Sequence, residues 1–431
     1  MINFCTTRAW SRSAAVSCVM LALAAHSRAD DTLPAVSPSA PSEELAPASA
    51  QERPETETEQ LAAANTSARA SAAYHVANTK QPATRVVRRP DPRHFPNFGP
   101  LSIAGKTYYA YRFEGHVHSQ YSRDARHNPL DILDAAQKLG LDALVITDHG
   151  SSAARADFPN YHGTLVPFIG REIGGEYGHA VMWNVPDDAD QGAAASLESR
   201  AQFAHKHGGL LVFAHPGWWI DGNHHDPMNW MTPDAMRHGG RAGDVDAIEL
   251  WNGVYRTPLP RLIDAWEKLL DAGVFVPIVG DSDFHRFSIH QLGNAHNIAF
   301  CERPEVATCL WSAVREGRIV ITDGPAAVVT VNDRLPGSVL VADGSALRID
   351  VDALAPEGGL LQLYLGKEVV QALTLQPGIR ARATWQLASP AHDSYVRIDI
   401  QRPHRTLSQT PVSLLSNPVL IDVAPLQPSW R

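Results

Sequence analysis

The chain has 431 residues, with 37 Lys and Arg against 46 Asp and Glu, for a formal net charge of −9. That length accommodates two domains plus extensions. The acidic balance gives no general affinity for phosphate backbones, which argues against a dedicated nucleic-acid binder.

The first 29 residues carry Arg8, Arg12 and Arg28 and no acidic side chain. An apolar stretch from Ala14 to Ala25 is followed by Ser27-Arg28-Ala29, with small residues where a signal peptidase reads. This pattern predicts a secretory signal rather than a membrane span, since the stretch is short and no second one follows. Cys18 lies inside the stretch rather than closing it, so no lipid anchor is expected, and there is no Arg-Arg pair for a twin-arginine route. Export to the periplasm or the medium follows. Residues 30–82, rich in Ala, Ser, Pro, Glu and Thr, bury too little to offset their ordering entropy and read as a disordered tether. The basic run at residues 85–94 reads as a solvated arm leading into the next domain.

In the segment EGHVHSQYSRDA, residues 114–125, His116 and His118 sit two apart at the end of a predicted strand, so both rings project to one side. With Asp124 beyond them, they offer a divalent transition metal its first ligands. Alone, such a pair is weak evidence. Next comes one complete unit: Asn128 as cap, Pro129 in the first turn, an apolar stripe of Ile132, Leu133, Ala136 and Leu139, then Gly140 as terminator. A buried strand at 143–147 follows and ends in Asp148 and His149. Glu172 closes the run VPFIGREIGG, His179 stands in YGHA and His215 closes LLVFAH. Asp281, Asp283 and His285 follow another apolar run. Helical patterns at 196–207 and 259–272 lead into strands at 210–214 and 274–279. This alternation predicts a parallel barrel or sheet with chemistry on the carboxyl-end loops. Core histidines placed by chance would not keep falling on strand ends, nor bring carboxylates with them.

Cys301 and Cys309 are the cysteines left after the signal. In an oxidising compartment they could pair, but a helix predicted over 304–316 favours two buried thiols. From residue 327 onward short Val, Leu and Ile alternation broken by Gly, Pro and Asp predicts a small β-sandwich over 327–431. It carries no catalytic constellation, so support is its expected role.

The order HxH, TDH, lone Glu, GHA, AHP and GDSDFH resembles the PHP metallohydrolases, the polymerase and histidinol phosphatase family, across about residues 108–325. The resemblance implies an α/β fold, a distorted (β/α)7 TIM-like barrel over residues 83–326. It also implies two to three divalent metal ions, with Zn, Mn or Fe suiting the His-rich donors. His116, His118, Glu172 and Asp283 would hold the first ion. Glu172 would bridge to a second, completed by His179 and His215, while Asp124, His149 and His285 would hold a third. Two departures stand out. Glu114 replaces an Asp before the HxH pair, and Ser122-Arg123-Asp124-Ala125 replaces Ser-Asp-Gly with one extra residue, which makes His127 a rival to Asp124. Glu249 matches a family position near the metals and receives a supporting role. Asp148 and Asp281 are expected to orient ligating histidines.

Trp218, Trp219, Asn252, Tyr255 and Arg286 follow strand ends and are expected to shape the pocket, with Arg286 suited to clamp a phosphate. His224 and His225 sit in a loop that reads as a lid. The implied function is an exported metal-dependent hydrolase that uses a metal-bridging hydroxide, most readily on small phosphoesters, with Glu172, Asp283, His215 and Arg286 as its catalytic group. A second reading is a carbamate or carboxylic-ester hydrolase. The segment GEYGHA and the β-rich tail resemble the branch that includes the carbaryl hydrolases. A third, a binding module with structural metals, fits less well, because structural sites are usually closed four-ligand cages. The expected partner is a small-molecule substrate, with no membrane span; nothing in the sequence sets an oligomeric state.

Overall fold

The computed structural model describes residues 95, 98–185, 195–216, 227–253, 259–287, 292–402 and 411–423. The expected signal, tether and basic arm lie outside these residues, as do Trp218, Trp219, His224, His225 and Tyr255. All described residues belong to one compact unit, a mixed α/β fold with one large sheet and few helices.

Strand β1 (Leu101–Ile103) turns into β2 (Lys106–Val117), whose last six residues are buried. Helix α1 (Pro129–Leu139) begins as its sequence dictates, with Asn128 accepting a hydrogen bond from Leu130 N at 2.8 Å. It ends at Gly140, where φ is 87°, a conformation a Cβ disfavours. The chain then runs through β3 (Ala143–Ile146), β4 (Val166–Gly175) and β5 (Gly178–Trp183) to α2 (Leu197–Lys206) and β6 (Leu210–Ala214). A short α3 (Pro233–Met236), β7 (Ala247–Asn252), α4 (Leu259–Asp271) and β8 (Ile278–Asp281) follow. β9 (His296–Cys301), α5 (Val306–Arg315) and β10 (Ile319–Thr322) complete this part.

The pairing is not the parallel alternation expected. β3 lies parallel between β2 and β4, and β7 lies parallel between β6 and β8. By contrast β4–β5, β5–β6, β2–β9 and β9–β10 are antiparallel. Only Glu176 and Tyr177 separate β4 from β5, too few for a crossover, so these strands must form a hairpin. Glu172 therefore lies within a strand, opposite Val181, rather than at a strand's end. The strand expected at 274–279 starts only at Ile278, just after Pro277, which has no N–H for a ladder.

At its far end β8 comes back against β2. His118 N donates to Phe284 O at 2.8 Å, and Val117 and Phe284 form a parallel bridge. Two side-chain amides span the remaining gap to β9 and β10. Asn297 accepts from Gly280 N and donates to Gly280 O, both at 2.8 Å. Asn417 does the same for Ile278 N and O, both at 2.9 Å. An amide side chain carries one donor group and one acceptor, so it substitutes there for a missing strand.

The remaining strands are short, and some of them alternate in burial as their sequence predicts. β11 (Ala326–Val331), β13 (Leu347–Leu354) and β16 (Arg380–Leu387) form a three-stranded sheet. β12 (Val339–Val341), β14 (Gly359–Leu365), β15 (Glu368–Leu375), β17 (Ser394–Gln401), β18 (Val412–Ser416) and β19 (Val419–Asp422) extend the large sheet, with β18 antiparallel to β10. Val329, Ile349, Leu363 and Ile398 share one apolar cluster with Phe98, Ile298, Phe300 and Val320.

Cys301, at the end of β9, and Cys309, on α5, form a disulfide with a Cα separation of 5.6 Å. This corrects the expectation of two free thiols. The helix starts at Val306 rather than 304, and the added loop lets Cys309 face the sheet beside Ala299 and Cys301. No described helix is long and apolar enough to cross a membrane.

Candidate metal centre

All nine predicted donors converge, although they come from seven separate segments of chain. His116 Nε2 and His118 Nε2 approach to 3.1 Å. Glu172 Oε2 stands 3.3 and 3.1 Å from these nitrogens, and Asp283 Oδ1 stands 3.4 and 3.2 Å from them. On the other side of the same carboxylate, Glu172 Oε1 lies 2.7 Å from His179 Nδ1 and 3.0 Å from His215 Nε2. Asp124 Oδ2 lies 3.1 Å from His149 Nε2 and 3.3 Å from His285 Nε2. His149 Nδ1 closes the distance to Glu172 Oε2 at 3.0 Å. His116, His118 and Glu172 are buried, whereas the Asp124 side chain is 37 % exposed, so the cluster opens toward solvent on the Asp124 side.

The partners of the outer ring nitrogens decide what faces inward. His116 Nδ1 meets Glu249 Oε2 at 3.2 Å, and His285 Nδ1 meets Asp283 O at 2.8 Å. Both partners only accept, so these nitrogens donate, and with the rings neutral each Nε2 turns a lone pair toward the cluster. His118 Nδ1 lies 2.9 Å from Ser122 Oγ, which also accepts from His149 N at 2.9 Å. Asp283 Oδ1 is buried yet takes part in no hydrogen bond. Lone pairs and carboxylate oxygens thus confront one another with too few protons between them, and a divalent cation fits that donor set. Without one, the balance falls on the rings. Burial disfavours the charged form of His116, but Asp283, Glu249 and Glu172 outweigh it and raise its pKa well above the imidazole norm. Burial likewise pushes Glu172 up, yet His149, His179 and His116 hold it well below the usual carboxylate range.

Other expected residues stand as follows. Arg286 Nη2 donates to Asp124 O at 3.4 Å, on the open side. His127 does not join the cluster: its Nε2 accepts from Phe287 N at 3.2 Å, and its ring packs against Phe287. Glu249 supports two donors, through His116 Nδ1 and through His215 N at 2.9 Å. Asp148 and Asp281, expected to orient ligating histidines, do not. Asp148 accepts from Ser119 N at 2.6 Å and Ser119 Oγ at 2.7 Å, and Asp281 accepts from Gly115 N and Asn297 Nδ2. Each instead ties the loop or strand around the HxH pair in place. Burial raises the Asp281 carboxyl to about 8. Glu114 is fully buried, accepts from Ser282 N at 3.0 Å and Gly293 N at 2.8 Å, and is pushed up to about 8 by burial. It fixes the loop that carries Asp283. Ser122 was not singled out by sequence; its place four residues after His118 was the available signal.

Residues 114–183 match the PHP domain. That stretch carries six of the nine donors, His116, His118, Asp124, His149, Glu172 and His179, a set suited to divalent metal. No curated protein matches the sequence. Among solved structures, a two-domain protein from Bacteroides vulgatus containing a predicted PHP-like metal-dependent phosphoesterase is 15% identical, with a TM-score of 0.45 over 79% of this chain and 100% of that one. A candidate metal-dependent phosphoesterase from Bifidobacterium adolescentis is 15% identical, with a TM-score of 0.30 over 42% of this chain and 90% of its own. An amidohydrolase from Chromobacterium violaceum, solved with sulfate and no metal, is 17% identical, with a TM-score of 0.32 over 40% of this chain and 87% of its own.

Proposed function

We propose that the chain is an exported metal-dependent phosphoesterase acting on small phosphate esters. The observation that carries this reading is the convergence of His116, His118, His149, His179 and His215 on the one buried carboxylate of Glu172, with Asp124, Asp283 and His285 beside them. His116, His118, Glu172 and Asp283 would hold one ion, Glu172 with His179 and His215 a second, and Asp124, His149 and His285 a third. Zn, Mn or Fe suits such donors. Bound there, divalent metals supply Lewis acidity, lowering the pKa of water and polarising the ester.

The chain's own residues do the rest. Glu249 and Ser122 hold His116 and His118 in the orientation that turns Nε2 inward. Arg286, on the open side, suits a phosphoryl oxygen entering past Asp124. We propose that the metal-bearing part, over residues 83–326, is a distorted (β/α)7 barrel, and that the strands of 327–431 form a β-sandwich-like layer joined to it through the β10–β18 pairing. The expected signal over residues 1–29 supports export, and the Cys301–Cys309 disulfide agrees with an oxidising compartment.

One observation favours the second reading, an aryl carbamate or ester hydrolase. Tyr121 and Phe287, on the segments that follow the HxH pair and Asp283, are 36% and 45% exposed, enough to receive an uncharged ring. The deciding experiment screens purified, metal-counted protein on 4-nitrophenyl phosphate, 4-nitrophenyl acetate and 1-naphthyl N-methylcarbamate. Two to three ions per chain with turnover of the phosphate is the expected result. Turnover of the carbamate alone would select the second reading, and metal-free, inactive protein would overturn both.

A further inference from the structure

Strand β7 delivers none of the nine donors, yet two of its side chains, Glu249 and Asn252, touch three of them. Glu249 Oε2 accepts from His116 Nδ1 at 3.2 Å and from His215 N at 2.9 Å, while Glu249 Oε1 accepts from Asn252 Nδ2 at 3.0 Å. Asn252 Nδ2 also donates to Asp283 Oδ2, at 3.3 Å. Asn252 is 1% exposed, so it belongs to the wall behind the donors and not to the pocket surface its position after a strand suggests.

Two of the donors reached this way hold backbones that resist them. His215 has φ 25° and Asp283 has φ 50°, in the left-handed region that a Cβ disfavours. Such conformations persist only where their surroundings over-determine them. For His215 the restraint is Glu249 on its N–H. For Asp283 it is Glu114 gripping Ser282 on one side and Asn252 gripping Oδ2 on the other. The Asn252 bond matters for direction. With Oδ2 engaged, Oδ1 is left to face His116 Nε2 and His118 Nε2.

We propose that Asn252 is a positioning residue that fixes the Asp283 carboxylate for metal binding by joining it to Glu249. An amide suits the place because its two N–H groups serve two buried carboxylates while adding no charge of its own. A leucine of similar size supplies neither bond, and an aspartate sets a third acceptor between two others. Asn252 thereby couples the Asp283 side of the cluster to the His116 and His215 side through Glu249.

This inference rests on the metal-hydrolase reading, and the test separates the two. Full-length protein, wild type, Asn252→Leu and Asn252→Asp, is stripped and reloaded with cobalt(II). Metal affinity, the cobalt visible spectrum, and kcat and KM on 4-nitrophenyl phosphate are then measured beside circular dichroism. Both variants are expected to bind one ion about 10- to 100-fold more weakly, the usual cost of losing a partner of a ligand. Their cobalt spectra should change and kcat should fall at saturating metal while KM holds. If Asn252→Leu does not fold, Asn252→Asp, which keeps size and shape, carries the same readouts. Unchanged affinity and spectrum with a raised KM would show that Asn252 meets substrate and overturn the proposal. Wild-type protein that neither binds metal nor turns over any ester would overturn the underlying reading instead.

Discussion

Glu172 offers one oxygen to each of two donor groups, so replacing it should disturb both. Glu172→Gln keeps the volume and removes the charge. Turnover is expected to fall by about 10²-fold or more, with both ions held more weakly, while circular dichroism stays unchanged because apolar strands supply the core. A folded variant with near-normal turnover would sink the shared-carboxylate site. Asp124→Ala should cost one ion and most activity, whereas His127→Ala should resemble wild type, since its ring accepts from Phe287 N away from the cluster; the reverse result would move the ligand to His127. Proton competition provides a third test. The pKa values of His116, His179 and His285 are raised despite burial, through Asp283 and Glu249 for the first, Glu172 for the second, and Asp283 and Asp124 for the third. A metal must displace those protons, so affinity should strengthen as pH rises and weaken on acidification. Competition titrations that give one Kd at pH 6 and pH 8 would rule this out. Most of the donors were legible because they carry their chemistry next to an apolar run, whereas Asp124, in the polar stretch at residues 119–128, was placed by the family resemblance. Their supports were less so: Glu249, placed near the metals by the family resemblance alone, reaches His116 across 133 residues, and neither has a local signal of the other.

Local rules held where one segment decided its own shape. Helix α1 is bounded by Asn128 and Gly140 as its sequence requires. They failed where a neighbour decided. The β4–β5 turn left no room for a crossover, which reversed a strand that composition alone could not orient. The cysteines are the same case, since pairing depended on which face of α5 meets the sheet. Their disulfide closes a loop with a sequence separation of 8. In the chain-entropy account, a loop that short stabilises the fold by about 2–3 kcal/mol. Replacing Cys301 and Cys309 together by Ala should lower the thermal midpoint by several degrees in non-reducing buffer. A wild-type protein whose free-thiol count equals that of its fully reduced form would show that the bridge does not form.

The boundary read at residue 326 separates two kinds of pattern, helices alternating with strands before it and strands alone after it. It does not separate two sets of contacts. β18 pairs with β10, Arg397 on β17 is ion-paired with Glu267 on α4, and Asn417 closes the gap beside β8. Asn417 is fully buried, and besides Ile278 it donates to Ile319 O. Sequence periodicity could not reveal this, because the segment that carries Asn417 supplies the missing partner of a strand 139 residues earlier. Asn417→Ala leaves Ile278 N and O without that partner, at a cost on the order of 1–3 kcal/mol for each buried group. Urea unfolding should therefore show a lower midpoint with little change in slope. A chain ending at residue 326 loses more. It strips β10 of β18, leaves Glu267 buried without Arg397, and bares Phe98, Ile298, Phe300 and Val320, which now share a cluster with the later strands. An unpaired strand beside exposed apolar surface favours association over folding. The truncated chain should aggregate on size-exclusion chromatography and bind the metals poorly, because β8 leads directly to Asp283. A monomeric fragment that unfolds cooperatively would show that the metal-bearing part stands alone and that the later strands only decorate it.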